Sequence, residues 1–145
     1  EAGARRRNEV AAIYHRELGE LPGVGFQQVK PGNRNSYKDF SITIDPDAFG
    51  LSRDDLATAL AAENIDTRKY YEPPVHRQTA YVEFATSGDL LDNTERLAAR
   101  SLSLPMWSHM DDETALGICH AVRRIHQSAE AVLRALNQAT TALAT

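Results

Sequence analysis

The chain has 145 residues, 42% of them hydrophobic, and a formal net charge of −4, so it is long enough for one domain with a buried core and is not typical of a disordered chain. Its acidic balance excludes a general attraction to nucleic acid or anionic membranes, and no apolar run approaches the ~20 residues that span a bilayer. The single cysteine, Cys119, excludes an internal disulfide and favours a reducing compartment. We therefore expect a cytoplasmic protein.

The N-terminus is basic but is not typical of a secretory signal, because no apolar segment follows Arg5, Arg6 and Arg7. We interpret these arginines as the solvated first turn of a helix, or as the junction with a preceding domain, rather than as a phosphate site. The chain does not begin with methionine, and we take this to indicate a piece of something longer.

The first half of the chain predicts a helix, two strands and a second helix. Apolar residues at helical spacing predict an opening helix that ends at the turn signal of Pro22 and Gly23: Val10, Ile13, Tyr14, Leu18 and Leu21. A short strand is expected over 24–29 and a half-buried strand over 36–45, where apolar residues alternate, and the two form a wide hairpin. Ser52, with Asp55 three residues later, predicts a capping box at the start of the second helix.

The second half predicts a short helix, a strand and a long helix. Asp92, with Glu95 three residues later, predicts the short helix, and residues 101–106 predict a strand closed by Pro105. After Asp111 an amphipathic pattern runs to the end of the chain: Leu116, Cys119, Val122, Ile125, Ala129, Val132, Leu136 and Leu143. The order of elements predicts an α/β or α+β fold, in which helices pack on a small mixed or antiparallel sheet.

Several residues that could carry chemistry have a structural interpretation that we prefer. The acidic pairs at 54–55 and 111–112 stand at predicted helix starts, where carboxylates cap free N–H groups. Cys119 lies on an apolar stripe and is expected in the core, and Trp107 is expected to be a packing residue. His120 and His126 face opposite sides of a helix, so the sequence predicts no metal site.

The segment from 68 to 77 predicts a ligand site. It carries three cations against one carboxylate, paired tyrosines and paired prolines: Arg68, Lys69, Tyr70, Tyr71, Glu72, Pro73, Pro74, His76 and Arg77. Arg68 can bind a phosphate or carboxylate through two N–H donors, and the tyrosine rings can stack on a sugar or base. The cluster suits an anionic, ring-bearing ligand. The alternative is that one tyrosine is core and that Arg68 pairs with Asp66, and the residues alone leave both open.

Several blocks of the sequence, in the same order, resemble the C-terminal part of the DegT/DnrJ/EryC1/StrS family of pyridoxal-phosphate-dependent sugar aminotransferases. The blocks are RRNEVAAIYHRELGELPGV, YKDFSITID, FGLSRDDLATALAAENIDTRKYYEPPVHRQTAY, TERLAARSLSLPMW and MDDETALGICHAVRRIH. They cover the chain to about residue 126. The resemblance implies that residues 1–145 form a single C-terminal small domain, family-like over 1–126 and extended by a helix over 127–145.

This resemblance also implies a function. Such enzymes are fold-type-I aminotransferases, generally homodimers, that move an amino group from glutamate or glutamine to a keto sugar carried on a nucleotide. The resemblance places Arg68, Tyr70, Tyr71 and His76 on the substrate side of the active site, with Tyr37 as a weaker candidate.

The family's lysine, which binds the cofactor covalently and transfers protons, belongs to a large domain that this chain does not match. Lys30, Lys38 and Lys69 do not stand in the family's lysine motif. We therefore expect no catalytic residue here, pyridoxal phosphate bound mainly by the large domain, and an inactive fragment. Two alternatives remain: a freestanding α/β module that binds nucleotide sugars or dimerises, and a cofactor-dependent dehydratase relative.

Overall fold

The computed structural model describes residues 1–84 and 91–143, which form a three-stranded sheet and six α-helices. The helices are α1 (Ala2–Leu18), α2 (Pro46–Phe49), α3 (Arg53–Ala62), α4 (Asp92–Arg100), α5 (Asp112–Gln127) and α6 (Ala129–Leu143). The strands are β1 (Val24–Phe26), β2 (Phe40–Ile44) and β3 (Ser101–Leu104), and short 3₁₀ turns span Val75–Arg77 and Val82–Phe84. In the described part of the chain, no helix is long and apolar enough to cross a membrane.

The sheet is antiparallel with β2 in the centre, which confirms the predicted fold class. Val24 pairs with Ile44 on one side of β2, and Phe40 pairs with Leu104 on the other. Both hairpin strands are shorter than the sequence predicts. Tyr37 has a left-handed backbone (φ 43°) that cannot continue a strand, so β2 begins only at Phe40.

One face of the sheet and helices α1, α3 and α5 enclose the core. The residues of β2 alternate, with Phe40, Ile42 and Ile44 buried and the two polar residues between them on the other face. Tyr14 is fully buried, and its hydroxyl donates a hydrogen bond to the Pro105 carbonyl at 2.6 Å. Each large apolar side chain buried here contributes about 1.5–3 kcal/mol.

Cys119 lies in this core, as the sequence predicts. It is fully buried on α5, and burial raises the pKa of its thiol to about 12. Cys119 is therefore a small apolar side chain and not a nucleophile.

The predicted helix caps are confirmed at two helices and wrong at one. Ser52 and Asp55 form a reciprocal capping box at α3, and Asp111 accepts a hydrogen bond from the Thr114 N–H at α5. At α4 the cap residue is Leu91, which makes no side-chain cap. Glu95 instead pairs across to the 3₁₀ turn at Val75–Arg77, and this pairing replaces the expected capping box.

The long final helix is divided at one residue. Ser128 leaves helical geometry (φ −108°, ψ 18°) between α5 and α6. α6 begins where the chain passes Gly50, whose backbone is left-handed (φ 85°) and where a Cβ would come within 3.0 Å of the Ala129 Cβ. The extension expected over 127–145 is helical, but it is a separate helix, α6, which is described as far as Leu143; residues 144 and 145 lie outside the described residues.

The basic N-terminus is not a solvated helical turn. The Arg6 guanidinium donates to the Met110 carbonyl at 2.6 Å and pairs with Asp112 at 2.5 Å. Arg7 donates to the Ser36 carbonyl at 3.0 Å. These contacts tie α1 to the loop before α5 and to the hairpin loop.

Candidate functional site

An open groove of about 490 Å³ lies beside the end of β3. Two half-exposed aromatic rings border it: Tyr70 from the segment after α3, and Trp107 from the residues after β3. Asp39, Asp66 and Arg68 provide its charged groups. We call this the β3 groove; its volume falls within the range of ligand pockets, ~300–1,000 Å³.

Arg68 is held in place by its backbone. Its N–H donates to the Ser103 carbonyl at 3.1 Å and its carbonyl accepts from the Ser103 N–H at 2.8 Å, so residue 68 adds a bridge to the edge of β3. The exposed guanidinium contacts both carboxylate oxygens of Asp66, at 2.8 and 2.7 Å. This is the pairing that the sequence left open as an alternative. An anionic ligand must therefore use the remaining N–H groups of Arg68 or displace Asp66.

Tyr70 and Tyr71 are both on the surface, so the alternative in which one tyrosine is core is not what the structure shows. Tyr70 is 39% and Tyr71 65% exposed, and their ring centroids are 5.2 Å apart. The Tyr70–Tyr71 and Glu72–Pro73 peptide bonds are cis. The Lys38 ammonium lies 5.8 Å from the Tyr70 ring centroid and pairs with Asp39 at 3.1 Å.

His76 lies in a different depression, of about 430 Å³, together with Val75, Tyr81 and Phe84. Its Nε2 is 2.5 Å from Glu95 Oε1. The hydrogen bond with His76, together with the charge of Arg77 nearby, lowers the pKa of Glu95. His76 is thus engaged in joining the 3₁₀ turn to α4.

Tyr37 also lies away from the groove. Its ring packs against Phe40 with centroids 5.7 Å apart, and it is partly buried against the core. Of the five residues predicted for the site, Arg68 and Tyr70 line the groove. Tyr71 contacts the Tyr70 ring but does not line the groove, and Tyr37 and His76 lie elsewhere.

The positive charge of the segment from 68 to 77 is neutralised locally. Each of its charged side chains has a partner of opposite sign: Arg68 with Asp66, Lys69 with Asp54, Glu72 with Arg53, and Arg77 with Glu95. The surplus of cations counted along the sequence is therefore not a surplus in space, because the partners come from other segments.

Trp107 is a site residue that sequence reasoning missed. It was expected to be a packing residue, but it is 46% exposed and borders the β3 groove. Its position directly after a predicted strand could have identified it, since binding residues are often found in the loops that follow strands. Asp39 was missed as well, because a lone acid inside a predicted strand has no distinguishing pattern.

Among residues 1–84 and 91–143, no group of His, Cys, Asp and Glu side chains is suited to a metal ion. His126, one of the histidines considered, has its Nδ1 2.9 Å from the Phe49 carbonyl. It therefore joins α5 to α2.

Comparison with known proteins places these features in context. A family model, the DegT/DnrJ/EryC1/StrS aminotransferase family, matches residues 1–123. The chain is 34% identical over 118 residues to dTDP-3-amino-3,4,6-trideoxy-alpha-D-glucose transaminase of Streptomyces venezuelae, which covers 81% of this chain and 30% of that protein. It is 30% identical over 122 residues to dTDP-4-amino-4,6-dideoxy-D-glucose transaminase of Escherichia coli, covering 81% of this chain and 32% of the relative.

Solved structures of aminotransferases also align with this chain. DesV of S. venezuelae, solved with a ketimine intermediate, aligns with a TM-score of 0.76 at 32% identity over 85% of this chain and 32% of its own. DesI, solved in the presence of its TDP-sugar product, aligns with a TM-score of 0.80 at 30% identity over 90% of this chain and 33% of its own. The chain thus spans about a third of the length of the proteins it matches.

Proposed function

Because the chain belongs to the DegT/DnrJ/EryC1/StrS aminotransferase family, we propose that it is the C-terminal small domain of a pyridoxal-phosphate-dependent enzyme that aminates a keto sugar carried on a nucleotide. The amino donor in this proposal is glutamate or glutamine. The enzyme works as a cytoplasmic homodimer, and this chain provides part of the surface that faces the substrate.

The observation that carries the proposal is the β3 groove, which lies entirely within the family-matched residues. Tyr70 and Trp107 offer flat apolar faces on which a sugar or base can stack, and neither ring is needed to fill the core. Asp39 and Asp66 can accept hydrogen bonds from sugar hydroxyls. Aromatic faces next to carboxylates suit a carbohydrate better than a purely apolar ligand.

Arg68 is the group that would bind the anionic phosphate of such a ligand. Asp66 occupies one N–H on each of its terminal nitrogens, Nη1 and Nη2. The guanidinium therefore retains donors for a phosphate oxygen while Asp66 holds its plane in a fixed orientation. In the proposal, Arg68 orients the ligand and Asp66 orients Arg68.

The lysines near the groove do not fit covalent attachment of pyridoxal phosphate, which requires a neutral amine. The hydrogen bond with Asp39 raises the pKa of Lys38, so its amine stays protonated at neutral pH. The amine of Lys69 is held by Asp54. These lysines therefore do not suit the cofactor, and we propose that the rest of the enzyme binds it.

The proposal is tested by an amino-transfer assay on the natural protein that contains this chain. It is incubated with pyridoxal phosphate, L-glutamate and a dTDP-linked keto sugar, and the sugar product is analysed by mass spectrometry. We expect the carbonyl to become an amine, and we expect this 145-residue chain alone to give no product.

The alternatives give different products. Loss of oxygen without gain of nitrogen would identify a dehydratase. Binding of the nucleotide sugar with no turnover, by a natural protein no longer than this chain, would identify a freestanding binding module. Either result would overturn the proposal.

A further inference from the structure

Arg53 is a buried cation that lies outside the β3 groove. It begins α3, yet its side chain is only 2% exposed. The first turn of a helix favours acidic side chains, so an arginine at this position needs another stabilising interaction. A buried guanidinium is costly unless it is paired and hydrogen-bonded.

The guanidinium of Arg53 joins α3 to two other parts of the chain. Its Nη1 donates to the Ala98 carbonyl at 3.0 Å and lies 3.4 Å from the Ser101 carbonyl, where α4 ends and β3 begins. Its Nη2 donates to Glu72 Oε2 at 2.5 Å. A lysine could not make these contacts at once, because its donors sit on one atom rather than on a planar fork.

The next residue, Asp54, completes the arrangement. Asp54 Oδ1 lies 2.9 Å from Arg53 Nε and forms an ion pair with it. This contact is not a hydrogen bond, and Nε has no hydrogen-bond partner among the described residues. The same carboxylate oxygen also pairs with Lys69. Burial on its own would raise the pKa of Asp54, but the hydrogen bond from Lys69 and the charges of Arg53 and Lys69 lower it on balance. The carboxylate therefore stays ionised.

These two ion pairs bracket the tyrosines of the candidate site. Lys69 directly precedes Tyr70, and Glu72 directly follows Tyr71. Both bracketing residues are held by adjacent residues at the start of α3, and that start is itself fixed by the Ser52 capping box. Neither tyrosine is anchored by burial. The backbone hydrogen bonds of Arg68 to Ser103 hold the chain before Lys69, and the two ion pairs restrain the residues on either side of the tyrosines.

We propose that Arg53 is the positioning residue of the β3 groove: with Asp54 it fixes the chain on both sides of the tyrosine pair and so sets where Tyr70 lies relative to Trp107. The consequence for ligand binding rests on the proposed function. The restraint on the segment does not, and the two can be tested separately.

The variant that tests the restraint is Glu72→Gln, which removes one carboxylate while keeping the size of a half-exposed side chain. The matched control is Glu63→Gln, which removes an exposed ion pair with Arg124 (2.8 Å) elsewhere on the surface. Amide hydrogen exchange is measured by mass spectrometry on the intact natural protein. We expect exchange over residues 68–72 to rise between about twofold and tenfold in Glu72→Gln, while exchange in β2 and β3 is unchanged.

Arg53→Lys is the conservative companion, because it keeps the charge and loses the fork. We expect it to loosen the same residues as Glu72→Gln. If this variant does not fold, Glu72→Gln decides the question by itself. Exchange over residues 68–72 that is the same in Glu72→Gln and Glu63→Gln would overturn the proposal. So would an increase spread equally over β2 and β3, which would indicate a general structural role.

The binding consequence is measured with dTDP-glucose as the probe. We expect Glu72→Gln to weaken its affinity between about twofold and tenfold and Glu63→Gln to leave it unchanged. A wild-type protein that binds no dTDP-glucose would contradict the proposed function, and the exchange result would still decide the role of Arg53. If Glu72→Gln and Glu63→Gln bind dTDP-glucose tightly and with the same affinity, the claim that Arg53 positions the groove for its ligand would be overturned.

Discussion

Around the sheet, helices α1 and α5 are held by apolar burial, whereas residues 68–77 are held at the surface by ion pairs. In the core, Leu102 and Val122 are fully buried. In the surface segment, Tyr71 is mostly exposed, and the charged residues on either side of the tyrosines pair with the start of α3. The position of the candidate site therefore depends on interactions that are weaker, more sensitive to salt and more specific in geometry than those that hold the fold.

The largest expected effect is a loss of stability in the core. Leu102→Ala removes a fully buried side chain from the sheet and should lower the free energy of unfolding by about 2–5 kcal/mol. The matched change Leu97→Ala, on the exposed face of α4, should cost less than about 0.5 kcal/mol in this chain. Urea unfolding of both variants measures the difference. Equal losses would show that the core does not dominate stability.

The groove should respond in binding rather than in stability. Trp107→Ala removes an aromatic face of the β3 groove and should weaken the binding of dTDP-glucose about tenfold, with little change in unfolding. Phe84→Ala is the control, since Phe84 is more exposed than Trp107 but lies in the other depression. Titration calorimetry measures both affinities, and a larger loss in Phe84→Ala would place the ligand in the wrong depression for this account.

The junction of the two regions is the start of α3. Ser52→Ala removes the hydroxyl that accepts from the Asp55 N–H at 3.1 Å and should cost about 1 kcal/mol of stability. Because Arg53 and Asp54 directly follow Ser52, hydrogen exchange over residues 68–72 should rise more than exchange in β2. Equal increases in the two segments would indicate that the cap stabilises the whole domain and does not act on the surface segment in particular.

The smallest effect is a dependence on pH that arises at His15, a half-buried residue of α1. His15 packs between the rings of Phe26 and Phe40, with centroids 4.6 and 5.3 Å away, and burial lowers its pKa below the ordinary 6.5. The unfolded chain therefore binds a proton at higher pH than the folded one, so stability is full above pH 6.5 and falls as the pH drops below it.

The measurement is the free energy of unfolding at pH 8 and at pH 5.5. His15→Phe should reduce the difference between these two values, and His120→Gln, at an exposed position on α5, should leave it as it is. A difference that is unchanged in His15→Phe would contradict the assigned cause.

Much of the fold follows from local pattern in the sequence. The alternation of β2, the apolar stripes of α1 and α5 and the Ser52 capping box each depend on residues a few positions apart, and each was predictable. Tyr37 was not, because a left-handed backbone at a tyrosine has no composition signal and shortens β2. The division of the last helix at Ser128 was not predictable either, because no glycine or proline marks it and the close neighbour of Ala129, Gly50, is far away in sequence.

The candidate site was less predictable for the same reason. Tyr70 and Tyr71 stand out in the sequence because they are adjacent and flanked by charges. The pairing of Glu72 with Arg53, 19 residues away, has no periodic signal, so the surplus of positive charge was overestimated. His76 has the composition of a site residue, but its partner Glu95 comes from α4 and draws it into the other depression.

The most direct test of the central claim is the hydrogen-exchange footprint of dTDP-glucose on the natural protein. The account predicts that protection concentrates at the two borders of the β3 groove, residues 68–72 and 103–107, and that α6 is unaffected. Protection at residues 75–84, or on α5 and α6, with none at the groove would contradict it.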